Sequence, residues 1–254
     1  MRRKLFATVL MALLCALALV WAGCAAAEPA PVPKGFALED GRVTREGTAL
    51  ESEVYNVPDG LDNGIACWSV VGSESSEALR EEETGVLFFG ADGKCVAFIP
   101  LDSELEYKDL VWSPDGGRFV LVTGGSRPDV FFTLFTVGGE GMEKGAEFDA
   151  LLGCFAWLDP YRFVLTRIDD ARDTESGVFS VLALKLSVVL YDAAAEEEMV
   201  LKEADETRSY IFQSVSEDES TINLLELSVK SPKDWDDEEK VQESGLTVEV
   251  PAAG

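Results

Sequence analysis

Histidine is absent from all 254 residues. That removes Ser-His-Asp and Cys-His activation of a nucleophile and every His-ligated metal site. Basic residues are scarce as well: 21 Lys and Arg stand against 47 Asp and Glu, a formal charge of −26. Nucleic acid is thereby excluded as a partner, since neutralising phosphates takes clustered Lys and Arg. Anionic lipid head groups are disfavoured for the same reason. Long amphipathic helical patterns are missing too, and the only long apolar run lies at the extreme N-terminus.

What is present is a core-forming composition, 47% hydrophobic and 9% aromatic, enough to argue against disorder and to fill one all-β domain. The chain opens with Met1-Arg2-Arg3-Lys4 and the apolar run from Leu5 to Val20, 16 residues long. This has the form of a secretory signal and is short for a transmembrane span. Trp21-Ala22-Gly23-Cys24 then resembles a bacterial lipobox, with Trp21 in place of the usual Leu, Val or Ile. The resemblance implies that residues 1–23 are removed and that Cys24 carries lipid. The mature protein is then held at the bacterial cell envelope, facing away from the cytoplasm. Cleavage after Ala25-Ala26-Ala27, giving a soluble secreted protein, is the alternative. Loss of residues 1–23 removes three positive charges and leaves −29. Residues 24–35 are rich in Ala and Pro and read as a tether; residues 36–254 form the folded domain.

Within that domain, Leu110-Val111-Trp112-Ser113-Pro114-Asp115-Gly116-Gly117-Arg118-Phe119-Val120-Leu121 reads as strand, turn, strand. Pro114 fixes φ, Asp115 bonds its own backbone, and Gly116 and Gly117 tolerate positive φ. A degraded copy, Phe155-Ala156-Trp157-Leu158-Asp159-Pro160-Tyr161-Arg162-Phe163-Val164-Leu165, places its tryptophan 45 residues further on. This pair resembles the WD40-like repeat of TolB-type β-propellers, whose blades carry a W-S-P-D-G turn between their first two strands. The resemblance implies a β-propeller-like, all-β fold.

Strands a to d follow in four groups. The first group matches Pro58-Asp59-Gly60 to the turn, with b at Ile65–Val71, c at Val86–Phe89 and d at Lys94–Ile99. The second has a ending at Trp112, b at Arg118–Thr123, c at Val130–Val137 and d near Ala146–Leu152. The third has a at Cys154–Leu158, b at Arg162–Ile168, c within Val178–Asp192 and d at Met199–Glu203. The fourth holds Ser209–Val215, Thr221–Val229 and Leu246–Val250, with a short helix starting at Ser231-Pro232. That is one strand short. The surplus N-terminal segment Phe36–Val43 is expected to complete the last blade and close the ring, as in the family. Four blades fit best, five are the second choice, and a β-sandwich would give similar strand spacing. Strands b and c are apolar at both parities, as sheets buried on both faces require.

No residue stands out as catalytic, cofactor-binding or metal-ligating. Cys67 and Cys95 fall on strands b and d of one blade, roughly 9.5 Å apart at two strand spacings. A disulfide needs Cα atoms within about 7 Å, so none is expected. The loop from Asp169 to Glu175 offers oxygens to a Ca²⁺ ion but lacks the EF-hand spacing, and a solvated acidic loop is the preferred reading. Three b–c loops are long and acidic, carrying −4, −3 and −3 between them. They place Glu81, Glu82, Glu83, Asp169, Asp170, Asp173, Asp236 and Asp237 on one rim. Long loops on a rigid sheet are where binding concentrates. The function expected is therefore a non-catalytic, lipid-anchored envelope module that meets a basic protein or a divalent cation through this rim. A glycoside-cleaving enzyme using paired carboxylates is the alternative.

Overall fold

The computed structural model describes residues 31–72, 79, 83–102, 104–125, 129–139, 141–172 and 181–252. Among them there are strands and short 3-10 turns but no α-helix. The chain first makes β1 (Phe36–Glu39), β2 (Arg42–Arg45) and β3 (Thr48–Ala49). Their turns are Asp40-Gly41 and Glu46-Gly47, with all four φ values positive, at 51, 74, 50 and 80°. Paired positive φ is the backbone of a type I′ hairpin, and Asp-Gly is among its strongest signals.

Unit one follows as β4 (Glu53–Asn56), β5 (Cys67–Val71), β6 (Gly85–Phe89) and β7 (Cys95–Pro100), antiparallel in that order. Unit two comprises β8 (Glu106–Trp112), β9 (Arg118–Gly124), β10 (Asp129–Gly138) and the first part of β11 (Gly141–Trp157). The end of β11 begins unit three, continued by β12 (Arg162–Ala171), β13 (Leu184–Asp192) and β14 (Glu197–Lys202). Unit four has three strands, β15 (Arg208–Val215), β16 (Thr221–Ser228) and β17 (Gln242–Glu249). The expected strands of all four units are found, including b at β5, which carries Trp68, and the Pro58-Asp59-Gly60 turn before it.

One junction differs. The d strand of unit two and the a strand of unit three are a single 17-residue strand, β11, so β8 to β14 form one seven-stranded sheet. Gly153 lies at φ 77° in the register shift between Ala150 and Phe155. The bulge bends the strand sharply, so the two halves of the sheet pack face to face without a connecting loop.

Parity shows how the stack is built. On β9, Phe119 and Leu121 pack toward unit one, while Val120 and Val122 pack toward unit three. On β12 and β13, Phe163, Leu165, Val189 and Tyr191 face unit two; Val164, Val188 and Leu190 face unit four. Adjacent residues therefore serve different interfaces, which is why these strands read as continuous apolar runs.

The expected closure of the ring by Phe36–Val43 is not made. That segment folds on its own Asp40-Gly41 turn, and β1 pairs with β2. The meander lies against unit one instead, burying Phe36, Val43 and Leu50 on Cys67, Leu87 and Phe89. A bridge from Ala37 to Lys94 ties it to the start of β7. At the other end, unit four presents Ser214, Asn223 and Thr247, hydrogen-bonded across its three strands at 3.2 and 3.3 Å. No hydrophobic cluster among the described residues joins the first and last units. The stack is thus capped at both ends, the solution open repeat arrays use to keep terminal faces soluble.

Candidate functional site

The turn between a and b explains itself in hydrogen bonds. Ser113, 1% exposed, accepts the Arg118 N–H at 2.9 Å and donates to Asp115 at 2.7 Å. Unit four repeats the pattern without glycine. Ser216 accepts from Thr221 N–H at 3.0 Å and donates to Asp218 at 2.7 Å, while Glu219 takes the left-handed place at φ 54° that Gly116 holds at 67°. In unit three Asp159 does this work through the Tyr161 and Arg162 N–H groups and the Arg162 side chain. These residues are structural.

The rim residues fare differently from one another. Glu81, Glu82, Asp173 and the lipobox Cys24 lie outside the described residues. Glu83 is not free on the rim: it is 7% exposed and grips the Arg45 guanidinium with both carboxylate oxygens. Its charge is neutralised between unit one and the N-terminal meander. Asp169, at the end of β12, accepts from the Arg167 side chain at 2.7 Å and from the Ser187 hydroxyl. Asp170 is exposed and accepts the next backbone N–H, that of Ala171, at 2.8 Å. Asp236 is exposed at the end of the first of two 3-10 turns, Pro232–Asp236 and Glu238–Lys240, which stand where a short helix was expected. Asp237 caps the second turn and pairs with Lys240 at 2.9 Å.

Two of the acidic loops are joined by a residue the sequence reading passed over. Arg172 sits in the acidic loop after β12 and is 8% exposed. Its guanidinium donates to the carbonyls of Leu184, Asp205, Glu206 and Arg208 at 3.1–3.2 Å and to the Ser209 hydroxyl at 2.7 Å. The face of Trp235 lies 4.0 Å from it, and the Trp235 indole N–H bonds Glu206 carbonyl at 2.9 Å. Burial pulls the Arg172 pKa below its ordinary value, against the raising pull of Glu206 and Asp205. Beneath lies a cluster of Leu184, Leu186, Ile211, Leu227, Val229 and Trp235. The b–c loops of units three and four are thereby fixed to each other. A lone tryptophan in a stretch otherwise made of Lys, Asp and Glu was the available sequence signal.

Among the described residues, no group of three or more Cys, Asp or Glu side chains is arranged to hold a metal ion. Cys67, Cys95 and Cys154 are unpaired, with β6 standing between the strands of the first two. Burial raises all three thiol pKa values, that of Cys95 to about 11. The perturbed carboxyl groups move the other way. Asp218 is lowered to about 2 by the Ser216 and Ser220 hydroxyls, and in Asp159 the Arg162 bonds outweigh burial.

A groove of about 530 Å³ also opens between β7 and the face of unit two. Val96, Phe98 and Leu101 line one wall; Leu121, Phe135 and Met142 line the other.

No family model matches this chain, and no curated protein matches it. Among solved structures, one similar chain comes from a structural and mechanistic study of two prolyl endopeptidases. The likeness has a TM-score of 0.44 and 14% identity, covering 79% of this chain. This chain spans only 27% of that one. Such a likeness carries nothing about activity. No helix among the described residues is long and apolar enough to cross a membrane.

Proposed function

We propose that this protein is a non-catalytic binding module of the TolB-type repeat class, lipid-anchored at the cell envelope through Cys24. Its binding surface is the rim formed by the b–c loops of units three and four, and its partner is a basic protein. The carrying observation is the Arg172 network, which fixes two acidic loops to a rigid double-faced stack. A surface held this way pays little ordering entropy on binding. Its exposed acids, Asp170 and Asp236, favour a cationic partner. The glycoside-cleaving alternative needs a carboxylic acid kept protonated near neutral pH. Asp159 and Asp218, both lowered, are not candidates for it.

Photo-crosslinking side chains placed at Asp170, Asp236 and, on the opposite rim, Glu217 test this in the full chain in its native membrane. A basic envelope protein captured from the first two positions and not from the third is the expected result. Equal capture at all three, or none at any, counts against the rim. Fatty-acid labelling that is lost in Cys24→Ala tests the anchor separately. Ca²⁺ titration of the melting temperature distinguishes a cation from a protein ligand, because a ligand that binds the native state raises it.

A further inference from the structure

The apolar groove between β7 and unit two lies beside an open sheet edge. β7 pairs with β6 on one side only. On its other side the antiparallel bridge from Ala37 to Lys94 sits at the strand's start. Beyond that bridge no strand among the described residues pairs with β7. Val96, on this strand, is 45% exposed and lines the groove. An unpaired edge beside apolar walls is a template for another extended segment.

The start of the described chain leads into this groove. Ahead of Ala37, Val32 and Pro31 line it together with Phe98, Ile99 and Pro100. The chain therefore runs antiparallel to β7 along the open edge, from the bridge at Lys94 toward Pro100. Continued in that direction, the residues before Pro31 pass toward Leu101 and Leu105. There the groove meets a second hollow of about 410 Å³, which shares Leu105, Thr123 and Thr133 with it and is also lined by the exposed Phe131.

The composition of the preceding segment suits this course. In Ala25-Ala26-Ala27-Glu28-Pro29-Ala30 every side chain but that of Glu28 is small and apolar. Pro29, Pro31 and Pro33 alternate with Ala30 and Val32, which favours an extended polyproline course and leaves few backbone donors to satisfy. At about 3.1 Å per residue, residues 25–30 would cover roughly 19 Å. Attachment through Pro31 holds them at the groove with an effective concentration on the millimolar order, which a free ligand has to exceed. We propose that residues 25–30 occupy the groove and the adjoining hollow, so that the segment read as a tether is a strap packed across units one and two. Cys24 then emerges beside the folded domain, and the cleft between units one and two faces whatever Cys24 is attached to. The proposal rests on the placement of Pro31 and Val32, and neither on lipid at Cys24 nor on the acidic rim.

A photo-crosslinking side chain placed at Ala27 in the full chain, purified in detergent, tests this, with the products mapped by mass spectrometry. Links within one chain to residues 96–105 or 129–147 are expected, and the same side chain at the exposed Ala252 should give none there. Val96→Lys puts a charge into the groove at an exposed position. It should cut these links about tenfold, because a charge against apolar walls is costly, and leave the melting temperature unchanged. Cys24→Ala, which cannot carry lipid, should keep the links, so failure of the anchor and failure of the strap are told apart. Links formed only between two chains would mean that a second copy's segment fills the groove. That result, no links to the groove, links undiminished by Val96→Lys, or links lost in Cys24→Ala would each overturn the proposal.

Discussion

Arg172 shows how much one side chain decides. It is the only basic residue between Arg167 and Lys185, yet it is buried and satisfies four carbonyls and a hydroxyl. Arg172→Met keeps the stem and removes all five of those bonds, although the Leu184, Glu206 and Arg208 carbonyls each keep another donor. The expected cost is about 2–4 kcal/mol, read by urea unfolding, with the b–c loops of units three and four losing protection from hydrogen exchange first. Acid stability follows from the turn aspartates. Asp218 has a folded pKa of about 2, below its ordinary value. Its contribution is therefore present above the unfolded pKa and fades as pH falls through the folded one. Asp218→Asn should lower the melting temperature at neutral pH and differ less from wild type as pH approaches 2. A constant difference across that window would contradict the assignment.

At the scale of elements, turns and bulges set the architecture more than strand composition does. Gly153 has φ 77°, and a Cβ there would meet nothing within 4 Å. Any penalty for a side chain at this position is then purely conformational. Gly153→Ala should cost about 1–2 kcal/mol, measured by chemical denaturation. A neutral result would mean that the bulge relaxes. Unit four offers the converse. Glu219 occupies a left-handed position that Gly116 occupies in unit two, so Glu219→Gly should stabilise by about 0.5–1 kcal/mol. The hairpins at Asp40-Gly41 and Glu46-Gly47 matter most for the whole. They turn residues 36–49 into a meander with its own apolar stripe, so that this segment does not pair with unit four.

For the whole molecule, charge and capping act together. The chain carries −26, and many of its ion pairs are local, such as Lys94 with Asp92 and Lys240 with Asp237. Residual repulsion is therefore expected to destabilise the compact state. Raising ionic strength from about 10 mM to about 150 mM shortens the screening length from roughly 30 Å to 8 Å, and the melting temperature should rise. A fall would mean that favourable ion pairs, not repulsion, dominate the electrostatics.

Strand identity was local information. Apolar residues at both parities in Arg118–Thr123 and Arg162–Ile168 announced sheets buried on both faces, and the Trp112 and Trp157 turns gave the repeat its register. The absence of histidine excluded whole reaction classes from composition alone. What the sequence could not determine was which face meets which. Closure depended on where one short apolar stripe docks, and Phe36, Val43 and Leu50 suit unit one as well by composition as they would unit four. Only packing decided between them. The same holds for the acids: Glu83 and Asp170 look alike in sequence, yet one is neutralised by Arg45, 38 residues away, and the other stays in water. A charge is offset by its spatial neighbours, and those are a property of the fold.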